Sequence, residues 1–272
     1  MICDRLIAPF LRLPHFRGKT RIETLLRRLL WTPQRTAVFA GVRMELDLAE
    51  WTQMQLLKRN WLEPQTLELY RKLLRPGDVF ADVGAHVGFH SLVARQWVGA
   101  SGLVLAVEPQ PYNTQKILAN WRANNFTNLK LLVAAAGAQD GWVELRDQVL
   151  TDRSVLTLRE GGGKNEAQSF EVPMLRLDSM FQRLGIERVK LLKLDVEGYE
   201  LEVVQGLGER LGDVENLVFE FFVQAERKRS NGALIDRLTN AGYRLFTVDG
   251  RLWKPDLEIP EHNLWAALKS AQ

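Results

Sequence analysis

The stretch Val79-Phe80-Ala81-Asp82-Val83-Gly84-Ala85-His86-Val87-Gly88-Phe89 decides the fold. A short apolar run enters a turn with glycines four residues apart, and a helical pattern follows at once. Glycine lets the backbone approach a ligand closely, and the N-terminus of the following helix presents free amides to a polar or anionic group. Further apolar runs at 103–107, 129–133, 191–196 and 217–222 alternate with segments of 3.6-residue periodicity. Those segments predict helices over 87–98, 111–125, 198–211 and 225–241, and 243–248 and 262–268 read as two last strands. The alternation calls for an α/β fold: a mainly parallel seven-stranded sheet with helices on both faces and a ligand site at the carboxyl ends of its strands.

Outside the sheet the pattern changes. Residues 37–48 alternate around Gly41 like a hairpin, and Pro64 opens a helix to Leu74. Thr20 and Glu23 have capping-box spacing, and Ile22, Leu25, Leu26, Leu29 and Leu30 give an amphipathic helix over 20–31 with Arg21, Arg27 and Arg28 on its other side. Residues 1–75 therefore read as an N-terminal helical and hairpin extension, and 76–272 as the sheet domain. Within that domain, 138–172 holds short alternating runs around Gly161, Gly162 and Gly163, expected to be an inserted antiparallel excursion with a mobile loop.

The chain has 272 residues and a formal net charge of +3. Residues 1–36 carry eight basic side chains against Asp4 and Glu23, which leaves the remainder slightly acidic. An enzyme whose whole surface tracks phosphates would carry its excess in the body, so nucleic acid is a disfavoured partner. The basic helix could touch acidic lipid, which allows peripheral membrane contact, or simply pack with its polar face in water. Cys3 is the only cysteine, which excludes an intrachain disulfide and a paired-cysteine metal site and suits a cytoplasmic protein. Asp4, Arg5, Pro9 and Arg12 interrupt the first apolar stretch, so a secretory signal is not expected.

The ligand can be narrowed by charge. The spacing Gly84-x-x-x-Gly88 is neither the dinucleotide fingerprint nor a P-loop. Asp82, two residues before the first glycine, would repel a pyrophosphate and suits a ligand bearing an ammonium or sulfonium. Glu108 ends the second strand, where a carboxylate accepts hydrogen bonds from ribose hydroxyls. Together they favour S-adenosyl-L-methionine over NAD. A second cluster, Lys193-Leu194-Asp195-Val196-Glu197-Gly198, puts three charges within five residues of a central strand. Buried charges must pair or coordinate something, so this is a structural network or a working site. Glu220, in the next strand, should lie near the same edge.

The segments FADVGAHVGFHS, VLAVEPQPYNTQKILANWRANN, VPMLRLDSMF, LLKLDVEGYELEVVQG and LVFEFF together resemble the FkbM family of S-adenosylmethionine-dependent methyltransferases, over about residues 76–222. The resemblance implies a class I, Rossmann-like methyltransferase fold and O-methylation of a sugar, glycan or secondary metabolite. It also implies that Asp82, Gly84, Ala85, His86 and Gly88 surround the methionine part of the cofactor and that Glu108 holds the ribose. Asn113 would lie near the adenosine, Ala135 and Ala136 would flank the adenine, and Asp195 and Glu197 would face the methyl and the acceptor. Members often carry a histidine after the acid of the fifth strand, where this chain has Phe221 and Phe222.

Methyl transfer to a hydroxyl needs alignment and a proton acceptor. Asp195 is the first candidate base, within a catalytic group of Lys193, Asp195 and Glu197, and His262 is the alternative. Asp195, Glu197 and Glu220 could instead hold a divalent ion, a less favoured arrangement because no ligand-spaced histidine accompanies them. Rival readings are an RNA methyltransferase using the basic N-terminus, a cofactor-binding module without turnover, and an NAD-linked dehydrogenase. Trp142, near the insertion, is a candidate stacking surface for a sugar ring.

Overall fold

The computed structural model describes residues 18–19, 21–22, 34–48, 50–58, 63–147, 156–157, 169–221, 228–255 and 257–269. All of the helix expected over 20–31 except residues 21–22, and the glycines 161–163, lie outside the described residues.

The first described strands form a hairpin, β1 (Gln34–Phe39) and β2 (Val42–Asp47), paired so that Phe39 faces Val42. Its two-residue loop, Ala40 and Gly41, is left-handed at both positions, as a tight primed turn requires. Helix α1 (Trp51–Lys58) follows, then α2 (Pro64–Leu73), with proline in its first turn where no backbone donor is needed.

The main sheet is built from β3 (Val79–Val83), β4 (Leu103–Val107) and β5 (Leu129–Leu132), then β10 (Leu191–Leu194), β11 (Asn216–Glu220), β12 (Tyr243–Thr247) and β13 (Asn263–Leu268). Its order is β12-β13-β11-β10-β3-β4-β5, and β13 runs antiparallel to both neighbours while the central pairs are parallel. Helices α3 (Phe89–Val98), α4 (Pro111–Ala123), α5 (Leu177–Leu184), α6 (Glu200–Gln205) and α7 (Lys228–Asn240) complete the fold. It is the α/β, Rossmann-like arrangement expected of a class I methyltransferase.

Period-two alternation splits the core. Ala81, Val83, Leu192, Leu194, Leu217 and Phe219 pack with Phe181, Val203 and Leu238 of the helices on one face. Phe80, Val104, Leu191 and Val218 pack on the other with Leu92 and Val93 of α3, Tyr70 of α2 and Met44 and Leu46 of the hairpin. The N-terminal segment thus shares a core with the sheet. Each fully buried side chain of this size contributes about 1.5–3 kcal/mol.

Four boundaries differ from expectation. The fourth parallel strand stops at Leu194 rather than 196, because Glu197 and Gly198 both take left-handed backbone and end the extended run. The helix expected over 198–211 is α6 followed by a 3-10 helix, Gly208–Asp213. The last strand begins at Asn263, since His262 is left-handed at φ 56°. The excursion is wider and mixed: β6 (Ala135–Ala136), β7 (Gly141–Asp147), β8 (Leu156–Thr157) and β9 (Ser169–Leu175) form a second sheet in which β6 pairs parallel with β9.

Candidate active site

The two sequence clusters meet at the carboxyl edge of the central strands. Gly84, at φ 83°, packs against the fourth strand so closely that a Cβ there would lie 1.8 Å from the Asp195 carbonyl oxygen. The amides of Gly84 and Ala85 donate to the Val107 carbonyl at 2.9 and 3.2 Å, which folds the loop back over β4. Beneath it, Ser91 Oγ donates to Asp82 Oδ2 at 2.6 Å and pins the start of α3.

These elements enclose a cavity of about 340 Å³, at the lower end of the range for small-molecule sites. One end is lined by Gly84, Ala85, His86, Glu108, Ala135 and Ala136. Glu108 organises it: Oε2 accepts from the His86 amide at 2.9 Å, and Oε1 accepts from the Gln110 amide at 2.9 Å and Asn113 Nδ2 at 3.2 Å. Burial pushes the Glu108 carboxyl up to about 7 in spite of these donors. Asn113 Oδ1 is buried without a hydrogen-bond partner.

The other end is ionic. Lys193 Nζ donates to Asp195 Oδ2 at 2.8 Å, with the lysine side chain 3% exposed and the aspartate 37%. Lys193 is also the register neighbour of Asp82 in the sheet. Burial opposes its charge, but Asp195, Asp82 and Glu63 outweigh burial and raise its proton affinity. Glu220 closes this end, its Oε2 buried without a hydrogen-bond partner. Burial first, then Asp195, Glu197 and Glu200, push its carboxyl up to about 9. Glu200 Oε1 accepts from the amides of Val196 and Gly198 at 3.3 and 3.1 Å, holding the turn that carries Glu197.

Of the residues expected from sequence, Gly84, Ala85, His86, Glu108, Ala135, Ala136, Lys193, Asp195, Glu197 and Glu220 line this cavity together. Asp82, Gly88, Asn113 and His262 do not. Asp82 is 1% exposed and supports the loop from below, and Gly88 packs on Ile117 of α4. Asn113 acts on Glu108 from behind. His262 is exposed at the end of a 3-10 turn, Pro260–His262, where the left-handed backbone turns it away from the strand register. Period-two alternation of an extended chain would put Lys193, Asp195 and Glu197 on one side; Lys193 and Asp195 do meet, but Glu197 leaves that row because the strand has ended and it is exposed. Among the described residues no group of three or more His, Cys, Asp or Glu is arranged to hold a metal ion.

Two lining residues escaped the sequence reading. Glu63 enters from the segment before α2, and His90 lies in the first turn of α3. Their side chains approach at 3.6 Å, Nε2 to Oε2. The signal for Glu63 was weak, a lone acid preceding Pro64, and only the tertiary structure brings it over the cavity.

The domain profile described as Methyltransferase FkbM domain matches residues 82–245, more than half of the chain. The chain belongs to the FkbM methyltransferase family. Methyltransferase sdnD of Sordaria araneosa is 27% identical over 204 residues, covering 64% of this chain and 76% of that protein. Methyltransferase 1 of Beauveria bassiana (strain ARSEF 2860) is 25% identical over 163 residues, covering 53% and 65%. Similarity also extends to the solved structure of a methyltransferase FkbM from Methylobacillus flagellatus KT, at 15% identity and a TM-score of 0.45, over 92% of this chain and 59% of that one.

As an FkbM methyltransferase the protein is an S-adenosylmethionine-dependent enzyme, and the cavity fits that nucleoside. Gly84 and Ala85 line the cavity with no side chain larger than a methyl group, so a ligand can approach the loop backbone. Glu108 has carboxylate lone pairs for ribose hydroxyls, and small residues, Ala135 and Ala136, leave room for a flat base.

Proposed function

We propose that the protein transfers a methyl group from S-adenosylmethionine to a hydroxyl oxygen of a small molecule, a sugar, glycan or secondary metabolite. The observation that carries this is the composition of the cavity's ionic end. Glu63, Asp195, Glu197 and Glu220 line it, and its cation, Lys193, is already bonded to Asp195. Such a surface accepts hydrogen bonds from hydroxyls and repels phosphates, which disfavours a nucleic-acid acceptor.

S-adenosylmethionine, when bound, supplies a methyl carbon already activated by its sulfonium. The chain's own residues then have to align an oxygen and receive a proton. Glu108, held by two backbone amides, is oriented for the ribose. The Lys193–Asp195 pair is rigid, because Lys193 is buried between β3 and β11, and it can orient an acceptor hydroxyl through the remaining aspartate oxygen. Alignment of this kind is worth ~7–11 kcal/mol in favourable cases.

Radiolabelled methyl transfer tests the reading directly. The labelled donor is incubated with a panel of methyl glycosides, hydroxylated secondary metabolites and tRNA, and the product bond is assigned by nuclear magnetic resonance. Label in a methyl ether is expected. Label confined to RNA, or on nitrogen or carbon, would overturn the proposal.

A further inference from the structure

We propose that Glu63, contributed by the segment preceding the sheet, takes the proton of the acceptor hydroxyl, and that Glu261 and Asn263 are positioning residues that hold it over the cavity. This deepens the O-methylation reading and rests on it.

Glu63 lines the same cavity as Lys193 and Asp195. Its backbone is left-handed, φ 39° and ψ 62°, a conformation that a glutamate adopts only when its surroundings impose it. The surroundings do so from both sides. Asn263 Nδ2, at the start of β13, donates to Glu63 Oε2 at 2.8 Å. On the other side, Glu261 accepts from the amides of Gln65 and Thr66 at 2.9 Å each and from Thr66 Oγ1 at 2.8 Å, so its carboxylate caps α2. Glu261 is itself left-handed at φ 58°. Contacts from the turn before β13 thus fix both Glu63 itself and the first turn of α2 that follows it, which holds Glu63 in the lining of the cavity.

Glu63 also has the better chemistry for the task. Asp195 Oδ2 is committed to Lys193. The charged and titratable groups around Glu63 are Lys193 of β10 and Asp195 just after it, Glu261 from the turn before β13, His90 from α3 and Tyr70 from α2, with Glu220 of β11 lining the same cavity. Burial and Lys193 keep His90 neutral. Burial pushes the Glu63 carboxyl up to about 7, where a carboxylate is a serviceable base at neutral pH. In the step, the acceptor O–H bond breaks and its proton goes to Glu63, while the oxygen lone pair forms the new O–CH3 bond. The C–S bond electrons return to sulfur. The products are the methyl ether, neutral S-adenosylhomocysteine and protonated Glu63.

The two nucleosides differ by one methyl and one positive charge at sulfur, which gives a test that needs no acceptor. Calorimetric titrations at pH 7 in phosphate and in Tris, buffers of different ionisation enthalpy, count protons released on binding. The sulfonium favours the ionised carboxyl facing it, so wild-type protein should release more protons with S-adenosylmethionine than with S-adenosylhomocysteine. The Glu63 share of that excess is at most about half a proton, since the group is half ionised at that pH. Glu63→Gln should lower the excess measurably, by up to about half a proton, with Glu220→Gln and Glu108→Gln measured in parallel to separate those groups' shares. Asn263→Ala, which releases Glu63 without deleting it, is the second variant should Glu63→Gln fail to fold. An excess that is absent from wild type or unchanged in these variants would overturn the assignment. With a methyl acceptor from the glycoside panel, Glu63→Gln should lower kcat by ~10²- to 10⁴-fold, raise the KM for S-adenosylmethionine by a smaller factor than it lowers kcat, and remove the limb near pH 7 from the kcat profile. Wild-type protein that methylates no hydroxyl would sink the O-methylation reading, whereas wild-type activity matched by Glu63→Gln would sink only the role of Glu63.

Discussion

Replacing Gly84 by alanine adds a single methyl group, yet it strikes the contact that joins the two halves of the site. The residue sits at φ 83°, and its new Cβ would lie 1.8 Å from the Asp195 carbonyl oxygen and 2.8 Å from the carbonyl carbon. Side-chain carbons do not approach backbone atoms closer than 3.0 Å, so the loop or the end of β10 must retreat by about 1.2 Å. Neither can do so freely, because the Gly84 amide is bonded to Val107 and the Asp195 amide to Val83. The left-handed backbone costs an L-residue about 1–2 kcal/mol, and overpacking of this kind typically costs a further ~1–3 kcal/mol. The sum, roughly 2–5 kcal/mol, corresponds to a fall in melting midpoint of about 4–10 °C for a chain of this size. A shift of about 1 Å at the cofactor loop should also weaken S-adenosylhomocysteine binding at least tenfold. Calorimetry and differential scanning fluorimetry read both effects, with Gly212→Ala as a control because nothing lies within 4 Å of its Cβ position. A Gly84→Ala protein that melts within about 1 °C of wild type and binds the nucleoside equally well would refute the reasoning.

Three other outcomes follow from the same geometry. Lys193→Met leaves Asp195 and its register neighbour Asp82 without a cation, and should cost about 3 kcal/mol, the low end for a broken buried pair because Asp195 is 37% exposed. Urea unfolding checks this, and a loss below about 1 kcal/mol would contradict it. Glu261→Ala removes the cap of α2 and should destabilise by ~1–2 kcal/mol in the same assay. Finally, Glu63 and Glu108 are raised by burial to about 7 and Glu220 to about 9, all above the ordinary 4.5 that applies when the chain unfolds. The folded state therefore binds more protons than the unfolded state over that window. These three groups stabilise the ligand-free protein most below about pH 4.5 and lose that contribution as pH rises through 7 and then 9. A urea midpoint that falls from pH 5 to 9, with the upper part flattened in Glu220→Gln, is expected; a midpoint that rises would be inconsistent with buried acids.

Much of this was legible in the sequence where local pattern and tertiary demand coincide. The seven strands of the main sheet lie within two residues of the runs read from apolar periodicity, since a parallel sheet buried on both faces imposes continuous apolar segments. That Lys193, Asp195 and Glu197 had to find partners was legible from three charges within five residues of a central strand, and Lys193 finds its partner in Asp195. What escaped depends on backbone exceptions and distant contacts. Glu197 and His262 fell out of register because each takes a left-handed conformation that alternation cannot foresee. Helix α5 was not read from the sequence although Leu177, Met180, Phe181 and Leu184 have helical spacing, because its eight residues are shorter than the window in which helical periodicity stands out. Ala135 and Ala136 reach the cavity as expected, but they do so on a strand of the second sheet. Glu63 could not be found locally at all, since its neighbours in space, His90 and Asn263, lie 27 and 200 positions further along the chain.

The most direct measurement is a crystal structure of the protein with S-adenosylhomocysteine. Density is expected for the ribose at Glu108, the base beside Ala135 and Ala136, and the sulfur between Gly84 and Asp195 with open space toward Glu63 and Glu220. A nucleoside bound elsewhere, or one whose sulfur points away from these acids, would contradict the claim that this cavity delivers a methyl group to its ionic end.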